Sequence, residues 1–229
     1  MTMNQSNIFW RNRPTVSAAT TGNAGRYRAA LPGLLGILLV VFSGCSIVPE
    51  AQPDPTRFYV LTATAPATPA APSAPASNVP KVILRPVIVP EFLRGRVMQV
   101  RLAENEVRFV DVARWAEPLE AGLNRVLRED LLQRPDVHVM TRGGDAHDFE
   151  VSIQLRRCEG VSAEGVARLS ARIEVYSNDL ESKLVAQDDF TTDVAGWDGK
   201  DFGQLAGKLS VAAATLSERI FTLLPSKTP

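Results

Sequence analysis

The clearest hydrophobic pattern in the chain is strict alternation in two segments of its C-terminal half. In residues 149–156 and 168–175 every second residue is apolar, and the residues between are polar or charged. A period of two predicts β-strands with one buried face and one solvent-exposed face. Shorter stretches rich in β-branched residues predict further strands at 82–89, 97–102, 106–111 and 137–140, with a weaker one at 184–192.

Two of these shorter strands carry further detail. In residues 106–111 the alternation places Val107 and Phe109 toward the core and Arg108 and Asp111 toward solvent. The strand at 137–140 follows a predicted helix, so it can return parallel to an earlier strand.

Two other segments have the period of a helix. The first follows Pro118 and has one apolar face, formed by Leu119, Leu123, Val126, Leu127 and Leu131. The second begins at Asp201, which is spaced from Gln204 as in a capping box, and its apolar stripe comprises Phe202, Leu205, Leu209, Ala212, Ala213, Leu216 and Ile220. We therefore predict an α/β fold, with a mixed β-sheet of about six or seven strands and two amphipathic helices packed on one face.

The N-terminal region has the layout of an export signal. Four arginines and no acid precede the apolar run at 31–42, which ends in two small residues and a cysteine. The apolar stretch at 29–42 is interrupted by Pro32, Gly33 and Gly36, and it is shorter than the roughly 20 residues a membrane-spanning helix needs. The pattern favours a secretory signal peptide over an uncleaved membrane anchor or a buried core segment.

The cysteine makes this prediction more specific. Phe42-Ser43-Gly44-Cys45 resembles the bacterial lipobox, which implies a lipoprotein signal peptide at 1–44, cleavage between Gly44 and Cys45, and a diacylglycerol plus an N-acyl chain such as palmitate on Cys45. Two or more acyl chains hold a protein stably on a bilayer. Cys158 would then have no disulfide partner, and we expect it to be a small buried residue rather than a reactive thiol.

Between the anchor and the main domain lie three segments. Residues 45–57 read as a proline-containing tether, and the apolar residues 58–61 are expected to dock on the domain as a strand. Residues 62–80 are rich in proline and alanine, with Pro66, Pro69, Pro72 and Pro75 at the polyproline II period. Docking of 58–61 would make this run a surface loop, and otherwise it is a semi-rigid spacer linker. The main domain then spans 81–224.

Charge and composition argue against several functions. The chain has 25 basic and 25 acidic residues. Because residues 1–44 hold four of the arginines and none of the acids, the mature part has 21 basic residues against 25 acidic. This balance predicts no nucleic-acid binding. With only two histidines and no Cys-x-x-Cys, we expect no metal site and no cofactor beyond the covalent lipid.

Candidate catalytic residues are weak. His147 and Asp148 could form a base with its orienting acid, but adjacent residues in a strand point apart, and His147-Asp148 sits beside a glycine-containing turn. Polar loop residues are the favoured interpretation. Without a nucleophile elbow or a phosphate-binding loop, the chain is predicted not to be an enzyme. A periplasmic hydrolase stays as the alternative.

The most distinctive stretch begins at the end of the strand predicted at 82–89. It contains Val89-Pro90-Glu91-Phe92-Leu93, the strand at 106–111 and Trp115-Ala116-Glu117-Pro118-Leu119, with Phe58-Tyr59-Val60-Leu61 upstream. Together these resemble the family of auxiliary lipoprotein components of ABC-type transport systems, which includes paraquat-inducible protein C. The resemblance covers residues 45–224, apart from the longer proline-rich run.

The resemblance implies a non-enzymatic, periplasm-facing lipoprotein that maintains envelope integrity. Its partners would be an MCE-domain substrate-binding protein and, through it, an ABC permease and ATPase that move lipids between two membranes; a homo-oligomer is a further option. The protein would help dock the periplasmic conduit at the outer membrane. Ser46 replaces the Asp associated with inner-membrane retention, which favours the outer membrane over the inner one. The alternative is a subunit of another envelope assembly, for secretion or lipopolysaccharide insertion.

Four residues are candidates for partner contact. Phe92, Leu93 and Arg94 fall at a predicted turn, where large apolar side chains are costly unless covered. Trp115 precedes the first helix. Inward packing is the favoured alternative for the turn residues, and a helix-entry contact is favoured for Trp115.

Overall fold

The computed structural model describes residues 52–64, 79–140, 146–179 and 181–225. The predicted signal peptide, Cys45 and residues 65–78 of the proline-rich run lie outside these described residues. In chain order the elements are β1 (Arg57–Tyr59), β2 (Lys81–Leu84), a 3-10 helix (Glu91–Leu93), β3 (Val97–Ala103), β4 (Glu106–Trp115), α1 (Leu119–Leu132), β5 (His138–Val139), β6 (Phe149–Val161), β7 (Val166–Ser177), β8 (Leu184–Ala195) and α2 (Phe202–Leu223).

The eight strands form one mixed sheet built around β6. On one edge β6 pairs antiparallel with β7, which pairs antiparallel with β8. Its other edge is shared, because β2 pairs parallel with the beginning of β6 and β3 pairs parallel with its end. The β3–β4 hairpin, the parallel β1 and the parallel β5 complete the sheet. The predicted α/β class with a mixed sheet is confirmed, with slightly more strands than expected.

Both helices pack on the same face of the sheet and against each other. The apolar stripe predicted for α1 is fully buried, and that of α2 is buried except for the partly exposed Phe202. The sheet contributes the alternating residues Val151, Ile153, Leu155, Leu169, Ala171, Ile173 and Val175 to the same core. Alternation thus sorted the long strands correctly, because helices cover one face along their length.

The cap of α2 differs from the predicted capping box in one half. The Asp201 carboxylate accepts hydrogen bonds from the backbone N–H groups of Gly203 and Gln204, as expected of an N-cap. The Gln204 side chain accepts from the backbone N–H of Asp198, and the Asp201 N–H donates to the Asp198 carboxylate. The return bond of the box is therefore replaced by a wider turn.

The segment predicted to dock at 58–61 lies on the domain. Phe58 and Tyr59 belong to β1 (Arg57–Tyr59), and Leu61 is buried in the core. Arg125 of α1 donates to the Leu61 carbonyl over 2.8 Å, and the backbone N–H of Thr62 donates to Ser210 Oγ of α2. Since β2 follows at Lys81, the chain is attached to the domain on both sides of the proline-rich run.

Strand β4 corrects one prediction. Phe109, expected in the core, is 50% exposed. It lies opposite Gln99 of β3, whereas the buried Met98 and Val100 of β3 lie opposite Val110 and Arg108. Residues directly opposite on paired strands share a face, so Phe109 points away from the helices. Alternation alone could not assign the face, because β4 has apolar residues on both sides.

The sheet therefore has two unlike faces. We call the face turned away from α1 and α2 the open face. It carries Gln99, Arg101, Phe109, Gln154, Arg157, Glu159, Arg168, Ser170, Arg172, Glu174, Asp189, Thr191 and Asp193. Within the described residues neither helix is long and apolar enough to cross a membrane.

Candidate functional site

The four predicted contact residues divide between surface and core. Phe92 is 42% exposed, and Arg94 is an exposed residue whose guanidinium lies 2.8 Å from the Glu91 carboxylate. Leu93 and Trp115 are each only 4% exposed and belong to the hydrophobic core. The predicted contact role therefore remains available to Phe92 and Arg94, whereas Leu93 packs inward, and Trp115, which precedes α1, is also buried in the core.

Local backbone chemistry places Phe92 on the open face. Pro90 precedes the 3-10 helix, and its carbonyl accepts a hydrogen bond from the Leu93 N–H over 2.9 Å. Leu93 inserts into the core, while the Phe92 carbonyl accepts a hydrogen bond from Gln99 Nε2 on the open face. Because Gln99 is buried beneath this segment, the short helix covers the sheet between β2 and β3.

Three exposed apolar side chains accompany this helix. Phe109 lies directly opposite Gln99, and Ile88 forms a parallel bridge with Gln154 on the same face. Ile88 and Phe109 are 54% and 50% exposed. We call Ile88, Phe92 and Phe109 the apolar patch. Contiguous exposed apolar surface is typical of contact sites. Phe92 and Phe109 are neighbours through Gln99, which lies opposite Phe109 and donates to the Phe92 carbonyl.

The rest of the open face carries a network of ion pairs. Arg168 binds the Asp193 carboxylate through two hydrogen bonds of 2.7 Å and also contacts Glu164. Arg172 contacts Glu174 and Asp189. The hydrogen bond from Arg168 holds the pKa of Asp193 below its usual value, and bonds from Arg172 and Tyr176 do the same for Glu174. These acids therefore stay ionised at neutral pH.

One ion pair of the open face is buried. Arg101 of β3 binds Glu159 of β6 with both Nε and Nη2, and the Glu159 side chain is fully inaccessible to solvent. Arg101 also donates to the Glu104 carbonyl over 2.7 Å. This pair joins the β3–β4 hairpin to the central strand, since the two strands share only a short parallel register.

The weak catalytic candidates have structural roles. His147 Nε2 lies 2.9 Å from Glu150 Oε1, and the Asp148 carboxylate accepts a hydrogen bond from the backbone N–H of Lys81. Asp148 thereby holds the start of β2. Cys158 is buried as predicted, and burial, together with the Glu159 carboxylate, raises the pKa of its thiol to about 12. Among the residues described, no three His, Cys, Asp or Glu side chains converge as a metal site.

Sequence reasoning missed Ile88 and Phe109 as surface residues. Both stand in β-branched or alternating stretches, where apolar residues usually face a core. The available signal was Pro90 after Ile88 and Val89, because a proline interrupts the strand ladder there.

The chain is similar to known proteins in sequence and in fold. The model of the family described as ABC-type transport auxiliary lipoprotein component matches residues 59–221. The crystal structure of protein XCC0632 from Xanthomonas campestris, of family DUF330, is similar with a TM-score of 0.60 and 16% identity, covering 72% of this chain and 92% of that one. A crystal structure of an uncharacterized protein has a TM-score of 0.57 and 16% identity, covering 72% and 95%. No curated protein matched the chain.

The fold and the family match together define the class of protein. The fold is that of a mixed α/β sheet domain shared with the two solved structures. The family match extends over most of the chain, so the protein belongs to the ABC-type transport auxiliary lipoprotein components. Membership implies a membrane-anchored protein on the periplasmic side that works with an ABC transport system.

Proposed function

We propose that this protein is a non-enzymatic lipoprotein of an MCE-type lipid transport system, which docks the periplasmic conduit at the outer membrane. The observation that carries the proposal is the family match together with the apolar patch on a face that the protein's own helices leave uncovered. Its partner is an MCE-domain protein, and an ABC permease and ATPase act through that protein. No cofactor is required beyond the lipid on Cys45.

The anchor supports the outer-membrane part of the proposal. Acylated Cys45 holds the chain at the bilayer, and residues up to Arg57 separate the lipid from β1. A stretch of about twelve residues can extend roughly 40 Å, so the domain reaches into the periplasm. Residue 46 is Ser, not the Asp that is associated with retention in the inner membrane. Replacing Ser46 with Asp should move the protein to the inner membrane in fractionated envelopes, and an unchanged distribution would contradict the sorting proposal.

The apolar patch supports the docking part. Phe92 and Phe109 come from different elements yet lie on the same face, beside charged residues that are already paired with one another. Large aromatic side chains are enriched among residues that contribute most to protein interfaces. The patch therefore offers a contact that stays available after the domain has folded.

Site-specific photocrosslinking in intact envelopes tests the partner. A photoreactive residue at Phe92 or Phe109 should capture an MCE-domain protein, identified by mass spectrometry. The matched control is Thr215, an exposed residue of α2 on the opposite face, which should not capture it. Capture of a secretion or lipopolysaccharide-insertion subunit from Phe92 and Phe109 would favour the alternative envelope assembly and contradict the MCE proposal.

A further inference from the structure

The strand nearest the predicted lipid anchor leaves two apolar side chains in water. Residues 58–61 alternate between outside and inside: Tyr59 packs against the core and Leu61 is buried in it, whereas Phe58 and Val60 are 61% and 48% exposed. Phe58 is the most exposed large apolar side chain in the part of the chain that the structure describes. Docking of this segment on the domain therefore accounts for Tyr59 and Leu61 alone.

Strand β4 adds a third exposed apolar side chain beside them. Phe58 lies opposite Arg114, and Val112 precedes Arg114 by two residues, so Phe58 and Val112 are diagonal neighbours on the same side of the sheet. Val112 is 46% exposed, whereas Ala113, which follows it, is buried. We call Phe58, Val60 and Val112 the edge patch. Contiguous exposed apolar surface is typical of contact sites.

The edge patch is poorly suited to a partner strand. β1 is the outermost strand on its side of the sheet, but it has only three residues. A short edge strand offers few backbone groups for pairing with another chain. An occupant of the edge patch should therefore be recognised by apolar contact rather than by strand addition.

The chain leads from the edge patch toward the predicted lipid anchor. Asp54 lies near Arg114, since the pKa of Asp54 is lowered by hydrogen bonds from Thr56 and also by the charge of Arg114. Asp54 follows Cys45 by nine residues. A chain of this length spans at most about 30 Å, so the tether that lets the domain extend into the periplasm also lets its β1 end return to the bilayer.

The charges around the edge patch are balanced. Residues 52–59 and 111–115 contain two arginines, Arg57 and Arg114, and two aspartates, Asp54 and Asp111. All four residues are exposed. Attraction to anionic headgroups needs a basic cluster, whereas insertion of apolar side chains depends on the apolar area that is buried. The edge patch therefore fits a hydrocarbon boundary without selecting charged lipids.

We propose that the edge patch contacts the bilayer that holds the protein's own acyl chains. Phe58, Val60 and Val112 insert among the upper methylenes, so that the domain is oriented with β1 toward the membrane. Three partly exposed side chains bind a membrane only weakly by themselves, but the tether makes the contact intramolecular and raises its effective concentration. The proposal rests on the proposed lipid on Cys45 and goes beyond the docking function, because it sets the orientation of the domain on the membrane.

Fluorescence quenching in lipid nanodiscs tests the contact with the full acylated chain. Val112→Cys and its control Val211→Cys each carry the fluorophore NBD, since both valines are 46% exposed and Val211 is on α2. Neither native cysteine competes for the label, because acylation consumes the Cys45 thiol and Cys158 is buried. Nitroxide groups on the lipid acyl chains should quench the fluorophore at residue 112 at least about twofold more than the one at residue 211.

A pair of substitutions locates the contact. Phe58→Gln should lower the ratio of membrane-bound to free domain, measured by the quenching at residue 112, about tenfold, as expected for the loss of one large inserted aromatic side chain. The matched control Leu132→Gln removes a side chain of similar exposure, 58%, at the end of α1. It should change the ratio less than about twofold, as is usual for an exposed site away from the contact.

The intact mass of the chain separates this proposal from the proposed function. A chain without acyl groups on Cys45 would overturn the anchor and the edge contact together. An acylated chain with equal quenching at residues 112 and 211, or with equal losses in Phe58→Gln and Leu132→Gln, would overturn the edge contact alone.

Two changes of the nanodisc identify the occupant of the edge patch. Replacing part of the zwitterionic lipid with anionic lipid should leave the quenching unchanged, and a strong increase would overturn the apolar mode of contact. A blue shift of the fluorophore at residue 112 that grows with the number of chains per nanodisc, without quenching by the lipid nitroxides, would show that a second copy covers the patch. The lipid proposal would then be wrong.

Discussion

The two faces of the sheet differ in chemistry although the same strands form both: one is apolar and buried, and the other is mostly charged. On the helix-covered face, β6 and β7 present Ile153, Leu169 and Ile173, all fully buried in the hydrophobic core. On the open face the neighbouring residues of the same strands are arginines and acids in ion pairs, with aromatic residues at the β3–β4 end. Stability resides mainly where apolar area is removed from water. The open face is therefore the part of the domain that can be changed, or occupied, without unfolding it.

The ion pair between Arg101 and Glu159 is buried although it lies on the open face. Breaking it should have the largest effect on the free energy of unfolding. Arg101→Met should destabilise the domain by about 3–5 kcal/mol, because Glu159 would be left as an unpaired charge with no access to solvent. Chemical denaturation monitored by circular dichroism measures the loss. The matched control, Arg94→Met, removes an exposed pair with Glu91 and should cost less than about 1 kcal/mol.

The double variant sharpens this test. Replacing Arg101 and Glu159 together with methionine removes both charges, so most of the lost stability should return. A double variant as unstable as Arg101→Met alone would show that packing, rather than the unpaired carboxylate, causes the loss.

A matched pair of truncations compares the faces directly. Ile173→Ala removes a fully buried side chain of the helix-covered face and should lower the free energy of unfolding by about 2–4 kcal/mol. Phe109→Ala removes a larger but half-exposed side chain of the open face and should cost less than about 1 kcal/mol. The same denaturation measurement applies to both. Similar losses for the two variants would mean that Phe109 supports the fold and would weaken its assignment to the apolar patch.

Acid should act on the open face more than on the covered one. Asp193 and Glu174 have pKa values below the ordinary 3.8 and 4.5 because of hydrogen bonds from Arg168 and from Arg172 and Tyr176. A lowered folded-state pKa contributes stability that is present above the unfolded value and is lost as pH falls through the folded one. The free energy of unfolding should therefore decrease as the pH drops below about 4.5 and continue to fall below 3.8.

Two arginine variants locate this acid sensitivity. Arg168→Gln removes the hydrogen bond that lowers the pKa of Asp193 on the open face. The free energy of unfolding should then depend less steeply on pH in the acid range. Arg219→Gln does the same for Asp188, whose pKa is lowered from the helix side by its hydrogen bond to Arg219. Urea denaturation at pH 3 to 6 measures both slopes. A slope unaffected by Arg168→Gln would exclude the Arg168–Asp193 pair as its source.

Much of the fold was predictable because its signals are local. The alternation in β6 and β7 and the helical stripe of α1 each depend on neighbours within a few residues, and both patterns appear in the structure as expected. The strands run longer than predicted, because pairing with β7 and β8 extends order past the bulge at Arg156 and into residues with weak propensity. The candidate contact residues were predicted less well. Phe92 and Leu93 are adjacent, and only the docking of the 3-10 helix decides which one is exposed.

The sequence by itself determined the α/β class, the apolar faces of both helices, the resemblance to a transport lipoprotein family and the prediction of a lipid on Cys45. Each rests on a pattern that a short window of residues contains. Only the tertiary structure decided that β2 and β3 share one edge of β6, that Phe109 faces outward, and that Leu93 rather than Phe92 enters the core. These features join residues distant in sequence, and their energies depend on what the remaining chain covers or leaves open to water.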